Sequence, residues 1–368
     1  MALMGWNDAR GTSVTCCRGR LGGVNDETWK LGRRPALDGL RGVAILLVLV
    51  CHTGVPGMFG AGPVGVSIFF ALSGFLITAL LLEERQRTGR IRLGAFYARR
   101  ARRLVPALAA STLAIIAVSP FFGSWFFEWK DVLAVVFYVG NWVEASPTAD
   151  LGALGGTWSL AIEEQFYFVW PFVVLLMVRR GPRAVAYAAG TGIVVSLAIR
   201  FALFSAGADY ERIYYGSDTT AGSLLVGALL AAILHMSKPG KSRPVVATGL
   251  AVLLLPLCVL TGNALFVGAM AATPFLMAAI LYFTVRGGEV AAWMIHPALR
   301  WVGERSYGLY LWHIGFAWVL RTRTDLPWWA LVLVVVPVSL AVAELSYRFI
   351  EGAFRHKRER VRDVEPTH

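Results

Sequence analysis

About ten stretches of mostly apolar residues run through this chain. Each is close to the ~20 residues an α-helix needs to cross the ~30 Å hydrocarbon layer of a bilayer. The chain therefore reads as all-α: a polytopic transmembrane bundle of about ten helices. The expected spans are 36–55, 64–82, 104–120, 160–178, 184–202, 219–235, 244–261, 265–284, 305–320 and 327–349. Charged residues make up 16% of the 368 positions, where a soluble protein carries about 25%. Thirteen Trp suit interface anchoring, and 38 Gly suit close helix packing.

The net charge of +12 raises nucleic acid as a partner, but the basic residues sit between apolar runs. Topology explains that placement better, and no nucleic acid is expected. Lys30, Arg33 and Arg34; Arg99, Arg100, Arg102 and Arg103; Arg179, Arg180 and Arg183; Lys238, Lys241 and Arg243; and RHKRER at 355–360 all fall on one side if ten spans cross. Both termini are then cytoplasmic. The chain divides into a short tail (1–35), an integral membrane domain (36–349) and a basic tail (350–368). No signal peptide is expected, because residues 1–35 lack an apolar core. Residues 131–142 are apolar but short, and counting them as a span would put Arg179, Arg180 and Arg183 outside. They read as a surface-lying or re-entrant element on the outer face. Arg321 and Arg323 are a small violation on that face. Cys16, Cys17, Cys51 and Cys258 show no ligand spacing, and no metal is expected.

The first span, LDGLRGVAILLVLVCHTG (37–54), carries Arg41 and His52. Eleven residues at ~100° each bring the two to within ~20° of one face, ~16 Å apart along the axis. A charge inside a membrane helix is expensive unless it meets a partner or a cavity. Two on one face suggest a polar path with a different task at each end. FYARRARRLVPA (96–107) packs four arginines before the third span. They are either positive-inside anchors or a cytoplasmic site for a phosphate-bearing ligand, with Arg41 at the same level.

TWSLAIEEQFYFVWP (157–171) is the second strong signal. Thr157 or Ser159 can cap a helix that Glu163 and Glu164 enter within its first turns, at the depth of His52. A carboxylate beside His52 would hold its tautomer and strengthen it as a general base. The two glutamates point ~100° apart, so one of them, Glu163 by preference, faces His52. Otherwise both simply stabilise the helix start. Ser73 and Gly74 let helices approach closely. Asp218 reads as an N-cap or a buried acid. Tyr310 and His313 share a face, with Tyr307 a turn below, as site-lining groups or interface anchors. Glu344 and Glu351 sit near the inner end of the last span, where salt bridging to arginines is the ordinary role.

Taken in order, these segments resemble the acyltransferase family 3 membrane proteins. The similarity covers about residues 36–355. LDGLRGVAILLVLVCH (37–52), GVSIFFALSGFLIT (65–78), FYARRARRLVPA (96–107), WSLAIEEQFYFVWP (158–171), SYGLYLWH (306–313) and ELSYRFIEGAFR (344–355) are its markers. Where the family commonly has an arginine and an acid after Asp218 and Thr219, this chain has Thr220 and Gly222.

The resemblance implies a multi-pass enzyme of the bacterial cytoplasmic membrane that moves an acyl group from cytoplasmic acyl-CoA or acetyl-CoA to a hydroxyl of a sugar-containing acceptor. Arg41, Arg99, Arg100, Arg102 and Arg103 would meet the nucleotide phosphates. His52 would be the base, and Glu163 or Glu164 its orienting carboxylate. Ser73, Asn141, Trp158, Tyr307, Tyr310 and His313 are candidates to line the site. Among them Tyr307, Tyr310, Trp158 and Asn141 are candidate oxyanion donors. An acyl group carried on His52 or on Ser73 is the two-step variant. For the acceptor, the expectation leans to an antibiotic or secondary-metabolite sugar, because no hydrolase-like domain follows in the 368 residues; a cell-surface polysaccharide is the alternative. A transporter is the rival of a different class, since buried Arg, His and Glu suit one equally.

Overall fold

The computed structural model describes residues 29–32, 34–122 and 126–354. Most of the expected N-terminal tail, Arg33, Cys16, Cys17 and the basic run 355–360 lie outside the described residues. The helices are α1 (Pro35–His52), α2 (Ala61–Thr88), α3 (Leu93–Val118), α4 (Trp129–Val136), α5 (Gly140–Glu144), α6 (Trp158–Met177), α7 (Pro182–Ser205) and α8 (Tyr210–Tyr215). There follow α9 (Ser217–His235), α10 (Pro244–Val252), α11 (Met270–Val285), α12 (Pro297–Glu304), α13 (Ser306–Arg323) and α14 (Trp328–Leu345). Prolines open α1, α7, α10 and α12, where the missing N–H would be unpaired in any case. The α2 helix stops at Gly89, whose φ of 71° lets its N–H close on the Arg85 carbonyl.

The fold is an all-α polytopic bundle. Every expected span contains a helix, but among the described residues eight helical stretches are long and apolar enough to cross a bilayer. The two others explain the difference from ten. Pro244–Val259 is apolar but short. The α13 helix is diluted by Tyr307, Tyr310, His313, Arg321 and Arg323. Residues 131–142 form parts of α4 and α5, of 8 and 5 residues, broken where Tyr138 turns to a φ of 52°. Neither is long enough to span, in keeping with a surface or re-entrant element.

Glycine allows α2 and α9 to meet backbone to backbone. A Cβ on Gly74 of α2 would strike the Leu224 carbonyl of α9, and one on Gly227 of α9 would strike the Ala71 carbonyl of α2. The two backbones meet where each lacks a side chain. Without a hydrophobic drive between helices in lipid, such contact is the main source of cohesion.

Hydrogen bonds fix which helix ends share a level. Arg41, near the start of α1, donates to Ser306 at the start of α13. At the other end of α1, His52 meets His313, and Arg321 donates to the His52 carbonyl at 3.4 Å. The α1 and α13 helices are therefore parallel neighbours. Arg321, out of place by charge counting, caps the C-terminus of α1. At the arginine end, Arg305 and Arg348 both pair with Glu344, and Arg34 reaches the Gly287 carbonyl at 2.7 Å. Asp218 pairs with Arg212 at 2.6 Å rather than serving only as a cap. Arg200 of α7 is buried beside Gly222 and donates to the Phe266 and Thr219 carbonyls. That guanidinium occupies the region where α9 itself carries no charge.

Gly74→Leu should prevent recovery of a monodisperse protein or sharply lower its melting temperature in detergent. Gly249→Ala, where an added Cβ meets open space, should leave melting unchanged or slightly raised. Equal tolerance of both changes would contradict the contact.

Candidate active site

Two cavities at the arginine end share walls. The outermost, of about 670 Å³, is bounded by α2 and α3 and lined by Lys30, Glu83, Glu84, Arg87, Arg99, Arg100 and Arg103. The next, of about 400 Å³, runs inward along α1, α2, α6 and α13, past Arg41, Ser73, Glu163, Tyr167, Ser159 and Tyr310. Arg100, Arg103, Leu80 and Leu104 border both. The guanidinium of Arg100 lies 3.3 Å from the ring centre of Tyr167. Tyr167 donates to Glu163 at 3.1 Å, and Ser73 donates to the other Glu163 oxygen at 2.9 Å. One carboxylate thus gathers two hydroxyls in front of two arginines.

Three of the four clustered arginines line these cavities. Arg102 does not: its Nε–H returns to the Ala98 carbonyl at 2.9 Å on the exposed side of α3. At ~100° per residue, positions 99, 100 and 103 share a face and 102 falls off it.

The polar path continues through α13. Ser159 donates to the Tyr310 hydroxyl at 2.6 Å, and the rings of Tyr310 and His313 lie 5.7 Å apart. His313 Nε2 is 3.2 Å from His52 Nδ1. The tautomers follow from the carbonyls. His313 Nδ1 is 2.8 Å from the Leu309 oxygen, and His52 Nδ1 is 3.0 Å from the Val48 oxygen. A carbonyl only accepts, so both Nδ1 atoms carry hydrogen when the rings are neutral. His313 Nε2 is then a lone pair that receives the His52 Nδ1–H as a shared second acceptor. His52 Nε2 is left as a lone pair.

His52 also borders a third cavity, of about 390 Å³, at the other end of the bundle. Its walls include Glu144, Asp150, Trp158, Tyr215, Trp318 and Arg321. Glu144 Oε1 accepts the Leu151 N–H at 3.1 Å. Burial, with Asp150 and Asp131 adding to it, pushes the Glu144 carboxyl up to about 7 against that hydrogen bond.

The geometry corrects the expected partner of His52. His313 holds the imidazole, while Glu163 belongs to Ser73, Tyr167 and the arginines. A 3₁₀ segment (Gly152–Thr157) precedes α6; Thr157 takes the N-cap position, but its hydroxyl donates to the Leu154 carbonyl at 2.8 Å and makes no cap hydrogen bond. Glu163 therefore lies five residues below Trp158, some 8 Å deeper at ~1.5 Å per residue. Glu164 feels Arg100 and Glu163, and borders none of the three cavities. Tyr307 spends its hydrogen on the Leu104 carbonyl at 2.8 Å. Asn141 gives both amide hydrogens to the Tyr215 carbonyl and Ser217, so neither residue can serve an oxyanion. Tyr307 and Tyr310 line the inner cavity, and Trp158 lines the one beside His52. Glu144, Tyr167, Ser306 and Trp318 were not singled out by the sequence. The acid-and-glycine run after Trp142 was the one available signal for Glu144.

The family described as an acyltransferase domain matches residues 34–348. The chain belongs to acyltransferase family 3. It is 34% identical over 353 residues to the peptidoglycan O-acetyltransferase OatA of Listeria monocytogenes, covering 87% of this chain and 56% of that protein. It is 32% identical over 348 residues to O-acetyltransferase OatA of Staphylococcus aureus, covering 88% and 57%. The chain thus spans under two thirds of the length of these relatives. No solved structure matches. The apolar helices and bacterial relatives make this member a multi-pass protein of a bacterial membrane. Among its described residues, no group of three or more His, Cys, Asp or Glu could hold a metal ion.

With ¹⁵N-labelled histidine, long-range ¹H–¹⁵N correlation should show both His52 and His313 protonated at Nδ1 in the neutral state. A protonated Nε2 on His52 would contradict the assignment.

Proposed function

We propose that the protein is a membrane O-acyltransferase that accepts an acyl group from acyl-CoA at the arginine end and delivers it to a hydroxyl of a sugar-containing acceptor at the histidine end. The observation that carries this reading is that His52 borders the cavity at one end, while its partner His313 packs against Tyr310, which borders the inner cavity of the arginine end. A base between two cavities suits a reaction whose substrates arrive from different faces. The basic clusters favour a topology in which the arginine end is cytoplasmic and ten helices cross, α10 and α13 included.

In this reading Arg99, Arg100 and Arg103 meet the nucleotide phosphates with charge-assisted hydrogen bonds. The pantetheine arm runs along the inner cavity past Arg41, Ser73 and Glu163, where hydroxyls and a carboxylate suit its amides and hydroxyl. The thioester then stops beside Tyr310 and His52. His52 Nε2 takes the proton of the acceptor hydroxyl as that oxygen attacks the thioester carbonyl. The tetrahedral intermediate collapses, the C–S bond breaks, and the sulfur leaves with the proton returned from His52. His313 keeps Nε2 of His52 unprotonated at the outset and receives a stronger hydrogen bond once the imidazole is charged. In this reading Trp158 Nε1 and the Tyr310 hydroxyl donate to the oxyanion, which their places in the cavity walls support. Direct transfer needs no ester on Ser73, whose hydrogen bond to Glu163 lies at the depth of Arg41.

The acceptor we favour is a cell-surface glycan and the acyl group an acetyl. Support comes from the relatives, whose names give O-acetyl transfer and, for the Listeria protein, peptidoglycan. This replaces the lean toward an antibiotic sugar, which nothing further supports.

Purified protein in lipid, supplied with radiolabelled acetyl-CoA and peptidoglycan fragments, should label the glycan. His52→Ala should abolish labelling while the protein stays folded and binds acetyl-CoA. Arg100→Ala should raise the acetyl-CoA KM about tenfold or more, as loss of a charge-assisted contact predicts. Arg102→Ala should change it little. Normal transfer by His52→Ala would sink the reading.

A further inference from the structure

The cavity at the histidine end has a construction that catalysis by His52 does not require. Its floor is the Gly152–Thr157 turn, in which Gly155 and Gly156 keep the backbone bare. A Cβ on Gly155 would sit 3.3 Å from the Glu144 carboxylate, and one on Gly156 would press on the Ile314 side chain. The walls carry three aromatic rings, Trp158, Tyr215 and Trp318, and the edge of Tyr215 faces Trp158 at 4.9 Å between centres. Opposite lies Glu144, delivered by the short helix α5. One of its oxygens is fixed by the Leu151 N–H, and among the described residues the other accepts no hydrogen bond. Asp150, by contrast, is engaged with the Gly152 N–H at 2.6 Å.

Aromatic faces, a bare backbone floor and a carboxyl group with one oxygen open to a ligand describe a site for a ring with an apolar C–H face and hydroxyls on its edge. We propose that this cavity seats the sugar ring of the acceptor, and that Glu144 is a specificity-determining residue that accepts a hydrogen bond from the hydroxyl neighbouring the one acylated. The assignment rests on the transfer reading above. The 390 Å³ volume suits one or two sugar rings rather than a long chain lying lengthwise. Glu144 and His52 border the same space, so the carboxylate selects which hydroxyl turns toward Nε2.

Titration follows from the groups around it. Asp131 of α4, Asp150 of the following turn, Tyr215 of α8, Tyr310 and Arg321 of α13, and His52 of α1 surround Glu144. With its carboxyl at about 7, Glu144 is protonated below that pH and becomes an acceptor above it. The acceptor KM should therefore fall as pH rises through about 7.

The test compares wild type, Glu144→Gln and Glu144→Ala in lipid, with acetyl-CoA and soluble peptidoglycan fragments as probes. Acetyl-CoA hydrolysis without acceptor reports the donor half of the reaction. It should be unchanged in both variants, which also shows that they fold. The acceptor KM should rise about ten- to hundredfold, the loss expected for a hydrogen bond to a charged group, with kcat changed little. The pH dependence of KM near 7 should be lost in Glu144→Gln. Unchanged KM in both variants, or equal loss of donor hydrolysis, would overturn the assignment. Absence of thioester cleavage by wild type would instead overturn the transfer reading itself.

Discussion

In hydrocarbon, a polar side chain without a partner is a standing expense, and this bundle meets it by linking polar groups into one chain of contacts. The link on which the others depend is His313 Nε2 to His52 Nδ1, at 3.2 Å. On one side stand Tyr310, Ser159 and the arginine-lined cavities. On the other is the cavity with Glu144 and its aromatic walls. Both imidazoles are pinned by backbone carbonyls of their own helices, so the orientation of each lone pair is set by helix geometry rather than by a neighbouring acid. The parallel course of α1 and α13 is what brings them together. Arg41 to Ser306 holds the same two helices at their other end.

This arrangement differs from a serine-protease-type triad in what supports the base. A carboxylate would balance the charge on His52 directly, but it would also have to be buried in the middle of a membrane protein. A neutral imidazole orients the ring at lower desolvation cost. The carboxylate that lines the inner cavity, Glu163, sits instead where arginines and two hydroxyls surround it. Charge is thereby concentrated toward the arginine end, and the middle of the bundle is crossed by hydroxyls and imidazoles.

Much of the fold was legible because membrane spans announce themselves by length and apolarity. The facing of Arg41 and His52 was legible too, since a helix turns ~100° per residue whatever surrounds it. Depth was harder. Reading Glu163 as level with His52 assumed that α6 begins at a capping residue. The 3₁₀ turn before Trp158 and the hydrogen bond from Ser159 to Tyr310 moved the functional level up and left Glu163 more than a turn below. Pairings between distant segments, such as His52 with His313 and Arg41 with Ser306, leave no trace in periodicity. Glu144 was hidden for a further reason: it lies in a short connecting helix, where apolar patterning says nothing about which way a carboxylate points.

The central claim is that donor and acceptor meet at His52 from opposite faces. Vesicles of known orientation test it most directly, with acetyl-CoA sealed on one side and a membrane-impermeant glycan acceptor on the other. The account predicts acetylated glycan only when acetyl-CoA is on the side of Arg100 and the acceptor on the side of Glu144. Efficient transfer with both substrates confined to a single side would contradict it.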